Sequence, residues 1–240
     1  MRWQRLTSLL GLLGLSLAGQ AETLFIAGVA GYQKPLQAIY REFTAQQGIE
    51  IDAAFGNLQH VLAQTRMSGR VELVVGARQL LQETGLFERL VPLGEGRLVL
   101  AFSRRAQADY TTLTAPSIQR IALPDPQRAI YGRAALQFFE RSGLHSDVAD
   151  KLMILRTVPQ VSAYLLAGSV DAGLLNLTDA RSLGERIGSY TRIPTALYDP
   201  PRIVVAVPAA SPAKPAADAF LAFLEQPAVT RILTHYELRE

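Results

Sequence analysis

The sequence of 240 residues contains no cysteine, one tryptophan and three histidines. Without cysteine the chain forms no disulfides and has neither thiol nucleophiles nor cysteine metal sites, so its stability must come from packing. The histidines His60, His145 and His235 stand far apart and form no H-E-x-x-H pair. This arrangement favours surface histidines over metal ligands, and the sequence predicts no metal site.

The usual catalytic and phosphate-binding motifs are also missing. There is no G-x-S-x-G elbow, no G-x-x-x-x-G-K-[ST] loop and no G-x-G-x-x-G after a strand. A triad of distant residues stays an alternative, because triads are defined by geometry and not by order in the chain. We therefore expect no catalytic residues, with a hydrolytic or lyase activity as a minor alternative.

The balance of charge points to no large anionic partner. The formal net charge is +3, and without the two arginines of the first five residues it is about +1. So small a charge gives no argument for binding nucleic acid or an anionic membrane. At 49% hydrophobic residues the chain has ample material for a core.

Only the N-terminus carries a long apolar run. Residues 1–5 include two arginines, residues 6–18 are apolar apart from small or hydroxylic residues, and Gly19-Gln20-Ala21 places small residues at a cleavage site. This layout predicts a signal peptide over residues 1–21, cleaved after Ala21, and hence a periplasmic protein. An uncleaved anchor is the alternative, although the run is shorter than the roughly 20 apolar residues that cross a bilayer.

The rest of the chain alternates between apolar segments that suit strands and segments with helical spacing. Thr23–Ala30 is a compact apolar run typical of a buried parallel strand, and the apolar residues after Pro35 recur at helical spacing. Such alternation predicts an α/β fold with mainly parallel sheets. The predicted strands are 23–30, 48–55, 71–75, 97–103, 120–123, 153–155, 172–176 and 202–207, and the predicted helices are 35–43, 60–68, 79–90, 129–142, 159–168, 215–226 and 228–236.

The order of these segments indicates two lobes joined by two crossovers. Residues 22–100 and 203–240 are predicted to form a discontinuous lobe I, and residues 101–202 to form lobe II. Ligands of open α/β sheets bind where loops leave the carboxyl ends of the strands, and helix N-termini there favour anions. The candidate loops are 28–34, 56–59, 125–132, 157–160 and 176–179.

Several stretches together resemble the periplasmic molybdate-binding proteins of ABC importers, over essentially the whole chain after residue 21. The most specific is A-x-Y-G-x-A-A, residues 129–135, after an Asp-Pro turn. The other matching stretches are Pro35-Leu36-Gln37, Phe55-Gly56, residues 96–100, residues 167–173 and Leu197-Tyr198.

The resemblance implies a two-lobed periplasmic-binding-protein fold of class II with two crossover strands. It implies that the lobes close on molybdate or tungstate held by neutral donors, without a cofactor or metal, and that a monomer delivers the ion to an ABC permease in the inner membrane. Carried onto this chain, the ligand-binding positions are Gly31, Tyr32, Gln33, Asn57, Leu58, Tyr131, Val158 (through its backbone) and Asn176.

This chain departs from the pattern of the family at the first two loops. Gly31 stands where the family usually has a serine, threonine or asparagine, and Asn57-Leu58 replaces a pair of hydroxyl residues. Each hydrogen bond to a charged group contributes about 1.5–3 kcal/mol, so the loss of donors would weaken anion binding. Gln33, Asn57, Arg128 or Arg133 are the candidates to replace them. A divergent relative that binds another small anionic or organic ligand, or that serves as a sensing or interaction module, is the alternative function.

Overall fold

The computed structural model describes residues 23–104, 110–210 and 215–239. The predicted signal peptide, residues 1–21, lies outside the described residues. Within them, strands and helices alternate as the sequence predicts. The strands are β1 (Thr23–Val29), β2 (Glu50–Gly56), β3 (Leu73–Ala77), β4 (Phe87–Glu95), β5 (Leu98–Phe102), β6 (Ile121–Pro124), β7 (Leu152–Leu155), β8 (Ala172–Asn176), β9 (Ser189–Arg192) and β10 (Arg202–Pro208). The helices are α1 (Gln33–Gln47), α2 (Leu58–Ser68), α3 (Arg78–Gln82), α4 (Ile130–Ser142), α5 (His145–Val148), α6 (Val158–Leu166), α7 (Leu177–Leu183), α8 (Pro215–Phe223) and α9 (Pro227–His235).

The strands form two five-stranded sheets, one in each lobe. The sheet of lobe I has the order β2-β1-β3-β10-β4, and the sheet of lobe II has the order β7-β6-β8-β5-β9. The chain passes from β4 to β5 through Gly96 and Arg97, and it returns from β9 to β10. The protein is therefore a two-lobed α/β molecule in which the chain crosses between the two sheets twice.

Both sheets are mixed, which differs from the expected mainly parallel sheets. In lobe I, β1 pairs in parallel with β2 and β3, while β10 runs antiparallel to β3 and β4. In lobe II, β6 pairs in parallel with β7 and β8, while β5 runs antiparallel to β8 and β9. The reason is that β5 and β10 enter their sheets from the other lobe, and not after a helix of the same lobe. The predicted lobe boundary at residue 100 also cuts through β5, which pairs wholly within the second sheet.

One predicted helix is wrong over its second half. Residues 79–90 were expected to be helical, but α3 ends at Gln82 and β4 begins at Phe87. Gly85 has a φ of 64°, a left-handed conformation that glycine adopts at low cost, and it turns the chain between the two elements. Pairing with β10 then holds β4 extended. A local pattern of apolar residues cannot reveal this partner, because it lies more than 100 residues away.

The core of lobe I includes an aromatic cluster that packs α1 against α8. Phe43 makes edge-to-face contacts with Phe220 and Phe223, and Tyr40 packs against Phe220. Such pairs add roughly 0.5–1.5 kcal/mol to the free energy gained from burial alone. None of the described helices is long and apolar enough to cross a membrane.

Candidate functional site

Four helices begin around one small cavity between the lobes, which we call the central cavity. From lobe I, α1 follows β1 through a short 3-10 turn, Ala30–Tyr32, and α2 follows β2 directly. From lobe II, α4 follows β6 and α6 follows β7. All four helices thus start at the carboxyl ends of parallel strands, which is where open α/β sheets bind ligands. The cavity is lined by Val29, Ala30, Gly31, Tyr32, Gly56, Asn57, Leu58, Ala129, Ile130, Tyr131, Thr157 and Val158.

Six of the eight predicted site residues line this cavity. The other two are Gln33 and Asn176. Gln33 begins α1 and lines a separate cavity of about 390 Å³ between α1, α6 and α7. Asn176 ends β8 and is fully buried. The six that meet at the central cavity are Gly31, Tyr32, Asn57, Leu58, Tyr131 and Val158.

The helix starts on both lobes are capped by local side chains. The Asn57 side-chain oxygen accepts a hydrogen bond from the His60 N–H at 2.9 Å, which makes Asn57 the N-cap of α2. The hydroxyl of Thr157 caps α6 in the same way, accepting from the Gln160 N–H at 3.4 Å. These caps fix the ends of α2 and α6 beside the cavity.

The start of α4 explains the most specific sequence motif. The Asp125 carbonyl accepts hydrogen bonds from the N–H groups of Arg128 (3.1 Å) and Ala129 (2.8 Å), so the Pro-Asp-Pro turn leads tightly into the helix. A Cβ at Gly132 would lie 2.4 Å from the carbonyl oxygens of Pro124 and Asp125. Only glycine allows this close approach, which sets Tyr131 at the cavity wall.

Two tyrosine hydroxyls from opposite lobes meet at the cavity. The Oη atoms of Tyr32 and Tyr131 are 2.5 Å apart, and the two rings are tilted by 40° with centroids 6.0 Å apart. Both side chains are buried. Because Tyr32 belongs to lobe I and Tyr131 to lobe II, this hydrogen bond joins the lobes.

Both tyrosines stay protonated near neutral pH. Burial is the largest cause that raises the pKa of Tyr32, and its hydrogen bond to Tyr131 raises that pKa further. Burial also raises the pKa of Tyr131, whereas the hydrogen bond between the two hydroxyls lowers it. Neutral tyrosines donate hydrogen bonds, so the pair suits an anion.

Other contacts between the lobes surround the cavity. The Leu58 N–H, the first of α2, donates to the Arg128 carbonyl at 3.2 Å. The Asn176 side-chain N–H donates to the Gly31 carbonyl at 2.5 Å and also to the Thr178 hydroxyl, while its oxygen has no partner among the described residues. With these contacts made, the central cavity encloses about 20 Å³, on the order of the space one water molecule needs.

No charged side chain of the described residues lines the central cavity. Arg128 lies 3.6 Å from Asp125 in a largely exposed ion pair, and Arg133 is exposed to solvent. In this arrangement neither Arg128 nor Arg133, two of the candidates to replace the missing donors, lines the central cavity. Among the residues that the structure describes, no group of three or more histidines and acidic residues is placed to hold a metal ion.

The sequence also matches a known family of proteins. The model of the family described as bacterial extracellular solute-binding protein matches residues 24–239. The chain belongs to this family. Solute-binding proteins of ABC importers bind small ligands for transport and perform no chemistry on them, so this one is a component of a transport system rather than an enzyme.

Named relatives of this solute-binding protein extend over nearly the whole chain. The molybdate-binding protein ModA of Rhodobacter capsulatus is 24% identical over 237 residues, covering 96% of this chain and 93% of the relative. ModA of Azotobacter vinelandii is 24% identical over 241 residues, covering 97% and 96%. The resemblance noted from the sequence is thereby confirmed.

Solved structures agree on the fold. The periplasmic molybdate-binding protein of Azotobacter vinelandii superposes with a TM-score of 0.82 at 20% identity, covering 90% of this chain and 99% of that one. The sulfate-binding protein SubI of Mycobacterium tuberculosis superposes with a TM-score of 0.73 at 14% identity, covering 91% and 86%.

Three residues of this solute-binding protein were not identified as site residues from the sequence. Gly96, between β4 and β5, lies against both tyrosine hydroxyls. Lys34 of α1 forms an ion pair with the mostly buried Asp179 of α7 at 2.9 Å, which bridges the lobes beside the cavity. Gly96 lies in the stretch 96–100 that matches the family, and Lys34 and Asp179 lie in the candidate loops 28–34 and 176–179. No local pattern, however, pairs Lys34 with Asp179 across 145 residues.

Proposed function

We propose that this protein captures a tetrahedral oxyanion, molybdate or tungstate, in the central cavity and delivers it to an ABC permease in the inner membrane. The observation that carries the proposal is that four helix N-termini converge on a cavity to which the described part of the chain contributes no charged side chain. Free N–H groups and the helix dipole together favour an anion at such a point. The two relatives named molybdate-binding protein ModA support this choice of ion.

The donors that would hold the ion are neutral. Gly31, Tyr131 and Val158 bring N–H groups at or next to helix starts, for which no backbone acceptor is found among the described residues, and Tyr131 adds its hydroxyl. Since none of the described residues that line the cavity is a carboxylate, a phosphate that keeps a proton at neutral pH would lack a side-chain acceptor for that proton. We therefore expect fully deprotonated oxyanions to bind better than phosphate.

Ligand entry requires the lobes to part. A central atom with four oxygens needs more space than the roughly 20 Å³ enclosed in the closed arrangement. Opening about the two crossovers would release the contacts between Leu58 and Arg128 and between Tyr32 and Tyr131. Because the ion does not fit in this arrangement, we propose that the lobes close around it less fully than they do here, and that this opening and closing allows capture and release.

The proposed function also implies where the protein works and in what state. We propose that residues 1–21 are a cleaved signal peptide, that the protein works in the periplasm as a monomer, and that it needs no cofactor. Membership of an extracellular solute-binding family supports the location.

A second candidate is a different small anionic or organic ligand, or a sensing or interaction role. It is favoured by Leu58, whose side chain is apolar and whose N–H is already bonded to the Arg128 carbonyl.

A thermal-shift panel of molybdate, tungstate, sulfate, phosphate and small carboxylates separates the candidates. Ligand at 100 times its dissociation constant stabilises by about 2.7 kcal/mol. A shift with molybdate or tungstate supports the first proposal, a shift with a carboxylate alone supports the second, and no shift with any oxyanion excludes the first.

Tyr131→Phe tests the side-chain donor of the site. The variant keeps the ring but loses the hydroxyl, so we expect molybdate to bind about tenfold more weakly or worse, since a hydrogen bond to a charged group contributes about 1.5–3 kcal/mol. Isothermal titration calorimetry measures the change. Tyr190→Phe, on the exposed β9 of the same lobe, is the control and should bind as the wild type does. An unchanged affinity of Tyr131→Phe would remove this hydroxyl from the site.

A further inference from the structure

A second and larger space between the lobes lies beside the crossovers. It has a volume of about 460 Å³, and we call it the crossover cleft. Lobe I lines it with residues of α3 and of the paired ends of β4 and β10, and lobe II lines it with one face of α4. The second crossover lies along the cleft, and its Pro201 carbonyl accepts a hydrogen bond from the Gly96 N–H of the first crossover at 2.8 Å. Ile130 lines both this cleft and the central cavity, so the two spaces are neighbours.

Three arginines from separate elements line the crossover cleft. Arg78 begins α3, Arg202 begins β10 and Arg133 belongs to α4, so the first two come from lobe I and the third from lobe II. In the part of the chain that the structure describes, none of the three forms an ion pair. Single exposed arginines usually face water. Three that converge from both lobes on one concave space instead make that space positively charged.

The two carboxylates of the crossover cleft are already paired. Asp199 accepts a hydrogen bond from the Arg141 side chain at 2.8 Å. Glu95 forms an ion pair with Arg97, although Arg202 stands opposite Glu95 in the ladder between β4 and β10. Neither of the two partner arginines lines the cleft. The acidic residues of the cleft therefore leave the charge of its own three arginines uncancelled.

Apolar side chains form part of the same wall. They include Leu80 of α3, Ile130 and Ala134 of α4, and Pro201. Pockets for small molecules have volumes of about 300–1,000 Å³ and combine apolar walls with a few polar groups, as this cleft does. Guanidinium groups bind carboxylates and phosphates through paired hydrogen bonds. A single inorganic oxyanion would fill only a small part of the cleft, whereas an organic anion could place its carbon skeleton against the apolar wall.

We propose that the crossover cleft binds a small organic anion with two or more negative charges, which bridges Arg78 and Arg202 of lobe I and Arg133 of lobe II. This site is separate from the central cavity, so the inference goes beyond the proposed function and does not rest on it. The cleft has its volume of about 460 Å³ in the arrangement described here, and the anion enters without a movement of the lobes. Because both lobes contribute arginines, the bound anion stabilises this arrangement.

Isothermal titration calorimetry with succinate, citrate and 3-phosphoglycerate tests the site. We expect saturable binding of at least one of them, with one ligand per protein, and no binding of the uncharged dimethyl succinate. Comparison of the carboxylate probes with the phosphate probe shows which group the arginines prefer. Salt screens charges that are partly exposed, so binding should weaken as sodium chloride rises from about 0.05 M to about 0.5 M. No saturable binding of any of the three anions would overturn the inference.

Arginine variants locate the bound probe. Arg133→Gln and Arg202→Gln should each weaken the binding of the best probe about tenfold or more, because a hydrogen bond between charged groups is lost. Both positions are exposed, so the variants should fold. Arg89→Gln, at an exposed position of β4 outside the cleft, removes the same charge and should bind as the wild type does. Losses in the two cleft variants no larger than the loss in Arg89→Gln would show that the anion binds elsewhere.

The crossover cleft and the central cavity are tested with different probes. A protein that binds an organic anion through Arg133 and Arg202 but binds no oxyanion would contradict the proposed function and support this inference. A protein that binds molybdate but none of the three organic anions would do the reverse. A crystal structure with the best probe should show it in contact with Arg78 and Arg133, and a probe bound away from both would overturn the inference.

Discussion

At the scale of single residues, buried tyrosines decide what the central cavity offers a ligand. Tyr32 and Tyr131 bond to each other, and the Tyr198 hydroxyl accepts a hydrogen bond from the Leu98 N–H at 2.9 Å. A buried hydroxyl without a partner costs roughly 1–3 kcal/mol, so these bonds fix where the rings stand. The cavity gains hydroxyl donors without gaining a charge.

The burial of these tyrosines should lower the free energy of unfolding at alkaline pH. Burial raises the pKa of Tyr32, Tyr131 and Tyr198 above the ordinary value of 10.0. The unfolded chain loses these protons near pH 10 while the folded chain keeps them, so unfolding becomes easier as pH rises above about 10. Below that pH the tyrosines are protonated in both the folded and the unfolded state, so they do not make the free energy of unfolding depend on pH.

Urea unfolding at pH 7, 9, 10.5 and 11 measures this dependence. We expect the contribution of the tyrosines to stay constant up to about pH 9 and to fall steeply above pH 10. Tyr40→Phe should reduce the steepness, since burial raises the pKa of Tyr40 as well. The same midpoint from pH 7 to pH 11 would contradict the prediction.

At the scale of elements, the site depends on helix starts held in place by caps and close packing. Asn57 and Thr157 cap α2 and α6, and Gly132 lets α4 begin against the end of β6. Each of these signals is local. The sequence pattern predicts the loops 56–59 and 125–132 at the carboxyl ends of strands, and the family resemblance places Asn57 and Tyr131 in the site. The prediction from the sequence is wrong at Phe87–Glu95, where pairing with a distant strand overrides a helical pattern.

Asn57→Ala should destabilise the protein by about 1 kcal/mol. The variant removes the side-chain oxygen that accepts from the His60 N–H, and a first-turn donor of α2 then loses its partner. Asn57→Ser keeps a capping oxygen and should remain within a few tenths of a kcal/mol of the wild type. Urea unfolding at pH 7 measures both. Equal stability of the alanine and serine variants would show that capping is not the role of Asn57.

At the scale of the whole molecule, ion pairs hold the two lobes together on the side of α7. Asp179 is mostly buried, and it accepts hydrogen bonds from Lys34 of lobe I and from Ser162 of α6. Glu237, at the end of the chain, binds Arg181 and Arg192 of lobe II. The Lys34–Asp179 pair and the two pairs of Glu237 join lobe I to lobe II and favour the closed arrangement.

Lys34→Met should open the ligand-free protein. The variant keeps most of the side-chain volume but leaves the Asp179 carboxylate without its cation, which we expect to cost about 1–3 kcal/mol. Small-angle X-ray scattering should show a larger radius of gyration, and molybdate should bind more weakly. Arg41→Met, an exposed position on the same helix, is the control. Unchanged scattering in Lys34→Met would mean that this pair does not hold the lobes.

The sequence by itself determined the α/β alternation, the family and the loops around the site. Periodicity, capping residues and a glycine at a close approach are local properties, because each depends on neighbours a few positions away. Only the tertiary structure decided that Tyr32 meets Tyr131, that Gly96 backs both, and that the Leu58 N–H is bonded to the Arg128 carbonyl. Those contacts depend on how two separately built lobes dock, and no local pattern encodes the angle between them.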